Sequence, residues 1–103
     1  KTTKCLAAGK PFILFGTQGQ MKKLQDLGFK TFAPFIDESY DNEPDSMLRF
    51  DLIKREISRI ANMIDKTKFY KSITDIANYN RSMYKEITAN YYQQDLNYDN
   101  SKV

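Results

Sequence analysis

Lys1–Phe32, KTTKCLAAGKPFILFGTQGQMKKLQDLGFKTF, is the stretch whose reading decides the fold. The run Pro11–Phe15 is apolar without polar alternation and lies between Gly9 and Gly16, the pattern of a parallel strand covered on both faces. Pro11 fits only at its first residue, because proline has no N–H to give to a ladder. Gly16, Thr17, Gln18 and Gly19 then turn the chain into a helix with Met21, Leu24 and Leu27 three apart on one face, and Gly28 stands where a C′ glycine would stop it. Phe29, Thr31 and Phe32 supply β-formers for a second strand, and a right-handed connection through the helix makes the two strands parallel. The fold class expected is α/β: a partial Rossmann-like βαβ unit with a minimal parallel sheet, followed by two long C-terminal amphipathic helices.

Open α/β sheets place ligands at the C-terminal ends of their strands, here at the glycine turn. The backbone N–H groups of Thr17 to Gln20 open a helix and carry the positive end of its dipole, so an anion fits there. A tight strand-to-helix turn without a ligand is the other reading of the same residues. Charge favours the anion: Lys1, Lys4, Lys10, Lys22, Lys23 and Lys30 face only Asp26 in the first thirty residues. The candidate phosphate-binding residues are Lys1, Lys4, Gly16, Thr17, Gln18 and Gly19.

The blocks Lys1-Thr2-Thr3-Lys4, Ala8-Gly9-Lys10-Pro11-Phe12, Gly16 to Gly19, Leu24, Leu27 to Phe32 and Asp37-Glu38-Ser39-Tyr40-Asp41 carry a resemblance. Together they resemble the C-terminal part of a family of glycosyltransferases from bacteriophages and bacteria, whose pattern runs TEKTxKxxxxGxPFxxxGxxGxLxxLxxLGFKTFxxxxDESYD. The likeness extends more faintly to the nucleotide-sugar half of GT-B fucosyltransferases, where a Glu-Lys pair meets the donor's ribose and phosphates. It covers Lys1 to about Asp41 well and the remainder only in helical character. The Glu of that pair would precede Lys1. The resemblance implies a nucleotide-diphosphate-sugar donor, a divalent cation as a possible companion, and the host-cell cytoplasm for a phage-encoded protein.

At 103 residues and 12.1 kDa the chain holds at most one domain, and a two-domain GT-B enzyme does not fit. The expectation is a C-terminal fragment, inactive alone, partnered by a missing N-terminal acceptor domain or by a second copy. A first residue other than Met agrees with this. The composition, 41% hydrophobic and 28% charged, is that of a soluble globular protein, and no apolar run approaches the length of a membrane span. The net charge of +3 is unevenly placed, since Asp37, Glu38, Asp41, Glu43 and Asp45 form a block without a base. No helix-turn-helix, RNP or zinc-finger pattern accompanies the basic excess, so nucleic acid is not the expected partner. Histidine is absent and Cys5 is the only cysteine, which excludes disulfides, Cys/His metal sites and Ser-His or Cys-His nucleophiles within the chain. Cys5, beside Leu6 on a short helix, reads as a small buried hydrophobe in a cytosolic setting.

After the second strand, Ala33 to Asp45 reads as a loop broken by Pro34 and Pro44. With parallel strands it emerges beside the glycine turn. Asp37 and Glu38 would then hold ribose hydroxyls, a metal on a diphosphate, or an acceptor hydroxyl, with Ser39 and Tyr40 in the same sugar or ribose loop. Tyr40 would stack on a base or sugar, or cover the sheet edge. The competing reading of the acids is that they charge the next helix's N-terminus. That helix is expected at 44–65, with Pro44 at N1 and an inward stripe of Phe50, Ile53, Ile57, Ile60 and Ile64; Arg49, Arg55 and Arg59 are expected to be solvated.

The last helix is expected at about 67–94, with Phe69, Ile73, Ile76, Asn80, Met83, Ile87 and Tyr91 in line, and residues 95–103 as a frayed tail. Asn80 interrupts that stripe, either fixing register or reaching solvent at its edge. The short joint before this helix allows a helical hairpin or a single kinked helix. The domain division that follows is a donor-binding-like unit over 1–66 and a helix over 67–94 that packs on it or on a partner.

No residue is assigned as catalytic. Against the donor-binding reading stand a non-enzymatic phage or bacterial interaction or assembly module on the same α/β scaffold, and a nucleotide-binding regulatory domain.

Overall fold

The structure, a computed structural model, describes the backbone of residues 2–101 and the side chains of residues 2–91. It is 66% helix, and no strand forms among the described residues. Four helices, α1 (Thr2–Ala8), α2 (Gln20–Asp26), α3 (Ser46–Ala61) and α4 (Thr67–Ser101), are joined by irregular segments and a 3-10 turn at Ser39–Asn42. The expected α/β class, with its parallel sheet and its Rossmann-like, GT-B character, is therefore corrected to an all-helical domain.

The correction has a local physical cause. Phe12 and Phe32, one from each expected strand, do meet, with ring centroids 5.2 Å apart in an edge-to-face arrangement. Their backbones do not pair, because side chains and turns have taken the groups of the second segment that a ladder needs. Phe29 N–H closes the end of α2 on Leu24 C=O at 3.1 Å. Lys30 gives its N–H to Asn80 Oδ1 at 2.8 Å and accepts from Asn80 Nδ2 at 3.0 Å, so one amide side chain stands where a neighbouring strand would. Phe32 N–H goes to Glu38 Oε2 at 2.9 Å, and Phe32 C=O receives Ile36 N–H, also at 2.9 Å. Asn80, one of the least exposed side chains in the molecule, thus fixes register rather than reaching solvent.

Glycines end the two short helices as left-handed C′ residues. Gly28, at φ +104°, lets Gly28 N–H reach Gln25 C=O and Phe29 N–H reach Leu24 C=O; Gly9, at φ +68°, does the same for α1. Of the expected α2 face, Met21 is buried and Leu24 half-buried, while Leu27 has passed the helix end and is exposed.

The core gathers Met21, Phe32, Ile36, Tyr40, Ile53, Phe69, Ile73 and Ala77, with Phe12, Ile13, Leu14 and Leu24 packed around it. Buried apolar surface contributes roughly 25 cal/mol per Å², so these side chains carry most of the favourable free energy. They come from the irregular segments as much as from the helices. Among the described residues the backbones of α3 and α4 make no close approach, and the 3-10 turn packs on both α2 and α3 while α1 packs on α4. Of the two arrangements the joint allows, a single kinked helix is not the one seen, and the strand-like segments lie between α3 and α4.

α3 begins at Ser46, two residues later than Pro44 at N1 would place it. Asp45 is its N-cap, accepting from Met47 N–H at 2.8 Å and Leu48 N–H at 3.2 Å, and the helix ends at Ala61, before the expected Asp65. Its buried line is Arg49, Ile53 and Glu56, with Ile60 half-buried; Phe50 and Ile57 of the expected stripe lie 40% and 51% exposed, and Ile64 falls in the following loop. Arg49 is buried against Glu43 C=O, to which its Nη1 donates, and Glu56 pairs with Arg59. Phe50 meets Phe15, at 5.2 Å between centroids, and Lys54 Nζ lies 5.0 Å from the same ring's centroid. α4 runs on to Ser101, and the side chains of the tail expected from Asp95 lie outside the described residues.

Candidate functional site

The glycine turn leads into α2 as the sequence indicates, with Gly19 at φ +82° as the residue before the helix. The groups around it are supplied by the acidic loop. Gly19 N–H donates to Asp41 C=O at 2.8 Å, and Gln18 Nε2 donates to Asn42 C=O at 2.9 Å. Asp41 then turns its carboxylate onto the helix end, Oδ1 accepting from Met21 N–H at 3.0 Å and Oδ2 from Lys22 N–H at 3.2 Å. A negative charge therefore sits at the positive end of α2, and it belongs to the chain itself. These two N–H groups are not open to an external anion while Asp41 is in place.

The remaining members of the acidic loop divide between body and surface. Glu38 reaches inward, accepting from Phe32 N–H, with the Thr31 hydroxyl and the Ala33 amide close to the same carboxylate. Burial pushes its pKa above the ordinary glutamate range, and those donors only partly oppose it. Tyr40 is 1% exposed, its hydroxyl without a hydrogen bond of normal geometry. Burial, then the neighbouring Glu38, drives that phenol's pKa upward, while the Leu14 backbone amide acts in the opposite sense. A ligand has no access to stack on it. Asp37 and Ser39 are exposed; Ser39 N–H donates to Asp37 Oδ1 at 3.0 Å, and this bond, followed by the Ser39 hydroxyl, lowers the Asp37 pKa. No group of three acidic or sulfur side chains converges on one point among the described residues, so Asp37 and Glu38 do not by themselves form a cation cage.

One cleft lies beside the glycine turn, though none of the candidate phosphate-binding or ribose-loop residues lines it. Thr2, at the start of α1, lies with Leu14 from the first strand-like segment and with Gln20, Lys23 and Leu24 of α2 around a cavity of about 200 Å³. Its floor is apolar and its rim carries a hydroxyl, an amide and an ammonium, the groups that hold phosphate oxygens or ribose hydroxyls. Lys4 is exposed on α1, and Lys1 lies outside the described residues. Gly16 shapes the cleft: a Cβ there would stand 2.5 Å from Gln20 Oε1, so glycine leaves room for that side chain. Thr2, Gln20 and Lys23 did not stand out in the sequence. Their signal was the family block around Thr2 and the lysine excess, neither of which says which side chains meet.

Other depressions lack this convergence. The largest, about 800 Å³, lies over the joint between α3 and α4 among Phe35, Arg59, Met63, Asp65 and Lys68, away from the residues the sequence singled out. An apolar cleft of about 260 Å³ lies between Ile13, Ile60 and Phe69. Among the described residues no helix is long and apolar enough to cross a membrane. Comparison with family models, curated proteins and solved structures finds no match to this chain.

Proposed function

We propose that this chain is the nucleotide-diphosphate-sugar-binding part of a glycosyltransferase-like protein, and that it is inactive alone. The observation that supports the reading is the cleft of Thr2, Leu14, Gln20, Lys23 and Leu24, where the start of α1, the first strand-like segment and the helix after the glycine turn come together. Lys23 and Gln20 take the diphosphate oxygens and Thr2 a ribose or phosphate oxygen. At about 200 Å³ the cleft is smaller than the 300–1,000 Å³ of sites that enclose a whole small molecule, so it holds one portion of the donor and leaves the rest to the acceptor-binding half. The chain has no histidine, and its half-buried Glu38 is engaged by backbone amides, so the base for glycosyl transfer also belongs to that other half.

The test is an amide-shift titration of the whole chain with UDP and with GDP. Binding near the millimolar range is expected, with the shifts centred on Leu14, Gln20 and Lys23, and Lys23→Ala weakens it about tenfold. The absence of shifts at these residues, or equal shifts in Lys23→Ala, sinks the donor-site reading. A non-enzymatic interaction module is the second reading. It is favoured by the exposed apolar side chains of Phe15, Met47, Phe50 and Ile57, at 60, 72, 40 and 51% exposure.

A further inference from the structure

The polar side chains that line the cleft beside the glycine turn make no bond within the protein. Among the described residues Thr2, Gln20 and Lys23 have neither a side-chain hydrogen bond nor an ion pair. Their neighbours are engaged: Gln18 Nε2 donates to Asn42 C=O, Lys22 Nζ pairs with Asp26 Oδ1 at 3.8 Å, and the Asp41 carboxylate accepts from Met21 and Lys22 N–H. A hydroxyl, a carboxamide and an ammonium without partners in the chain thus converge on one space of about 200 Å³, floored by Leu14 and Leu24. The Gln20 carboxamide lies over Gly16, where a Cβ would come within 2.5 Å of its Oε1.

This lining sorts the parts of a nucleotide by their chemistry. Among the described residues its one charged group is a cation and no carboxylate lines it. A phosphate therefore gains a charge-assisted hydrogen bond from Lys23 and further bonds from Gln20 Nε2 and the Thr2 hydroxyl. A ribose diol finds no carboxylate to accept from its hydroxyls. A base finds no aromatic face: no ring lines the cleft, Phe15 is packed on Phe50 with centroids 5.2 Å apart, and Tyr40 is buried. Size points the same way, since a space too small for a whole nucleotide leaves outside the part that gains least by entering. We propose that the cleft binds the diphosphate chain alone and is indifferent to the base, taking pyrophosphate and any nucleoside diphosphate alike. This rests on the donor-site reading above and narrows it: Thr2, Gln20 and Lys23 all act on phosphate oxygens, and the base is read by the other half of the protein.

The test is an amide-shift titration of the whole chain, at constant ionic strength, with pyrophosphate, UDP, GDP and uridine. Pyrophosphate is expected to shift Leu14, Gln20 and Lys23 and to compete with UDP and GDP, whose dissociation constants agree within about threefold, while uridine moves none of these amides. Gln20→Leu and Lys23→Ala each weaken pyrophosphate by about three- to tenfold. Lys22→Ala, which removes a neighbouring ammonium already paired with Asp26, leaves its affinity unchanged. UDP or GDP binding without pyrophosphate, a preference of about tenfold or more between UDP and GDP, or uridine shifts at these residues overturns the indifference to the base and leaves the donor-site reading standing. A loss in Lys22→Ala as large as in Lys23→Ala also overturns the proposal, because the anion then sits on a diffuse basic surface. Binding of pyrophosphate without UDP or GDP, or of none of the four, overturns the donor-site reading and the proposal together.

Discussion

Asp41 caps a helix that lies twenty residues before it: its Oδ1 accepts from Met21 N–H at 3.0 Å, and the residue is 7% exposed. Its other oxygen accepts from Lys22 N–H, so one side chain satisfies the N2 and N3 donors of α2 and ties the acidic loop to the glycine turn.

Asp41→Ala removes both bonds and leaves two amides unpaired near the core, at an expected loss of about 1–2 kcal/mol. Asp41→Asn keeps one acceptor and loses about half as much. Urea unfolding of the three proteins checks this, and equal midpoints for wild type and Asp41→Ala defeat it.

Asn80→Leu keeps the volume of the side chain but leaves Lys30 N–H and C=O without their partners. A loss of about 1–3 kcal/mol is expected, with faster exchange confined first to the Lys30 amide. An Asn80→Leu chain as stable as wild type means that water satisfies Lys30 and that the amide bracket contributes nothing.

Glu38 is held above the ordinary glutamate range by burial. A carboxyl whose folded pKa is raised stabilises the fold in its protonated form, so its contribution is present below the unfolded value and is lost as pH rises through the raised one. Stability measured across that interval therefore declines on account of Glu38, and Glu38→Gln removes this part of the decline. Asp37 acts with the opposite sign, because the Ser39 amide lowers its pKa. Carboxyl titration by NMR that places Glu38 at or below Asp37 contradicts the assignment.

Gly16 and Gly19 stand three residues apart in one turn and differ in role. Gly19 is at φ +82° with open space where a Cβ would project, so Gly19→Ala meets backbone strain alone and loses about 1–2 kcal/mol. Gly16→Ala meets only the end of the Gln20 side chain, which swings aside. Its stability is expected to stay within about 0.5 kcal/mol of wild type while nucleotide shifts at Gln20 shrink. The reverse order of stability losses in thermal unfolding refutes this division.

The helices were legible because their signals are local. Gly28 stops α2, an acid caps α3, and the Phe69, Ile73 and Asn80 line of α4 faces the core. The strands were misread because Pro11–Phe15 and Phe29–Phe32 carry β-formers, while strand formation depends on where backbone groups find partners. Those partners, Asn80 and Glu38, are polar side chains 50 and 6 residues away, and nothing in a strand pattern announces them. The phase of α3 was misplaced for a related reason: Arg49 and Glu56 are buried beside polar partners, Glu43 C=O for the one and Arg59 for the other, and not by being apolar. In the candidate site the glycine turn and the acidic loop meet through Gly19 N–H and Gln18 Nε2, not through the parallel strands expected to bring them together. That Asp41 would fill the helix end, and that Thr2 would meet Gln20 and Lys23, depended on tertiary placement alone.

The bracket that Asn80 places on Lys30 spans 50 residues, and the Tyr79 hydroxyl bond to Gly28 C=O spans 51. Closing a loop of that length costs about 3.5 kcal/mol in chain entropy beyond a constant, so neither contact forms early by chance encounter. During synthesis the middle of the protein therefore waits for the last third to leave the ribosome, since the residues that hold 28–30 in place are made after every residue they hold. A chain cut short before Tyr79 retains the sequence of α1, α2 and α3 and lacks the part that fastens them, which makes the C-terminal helix the keystone of folding order as well as of structure.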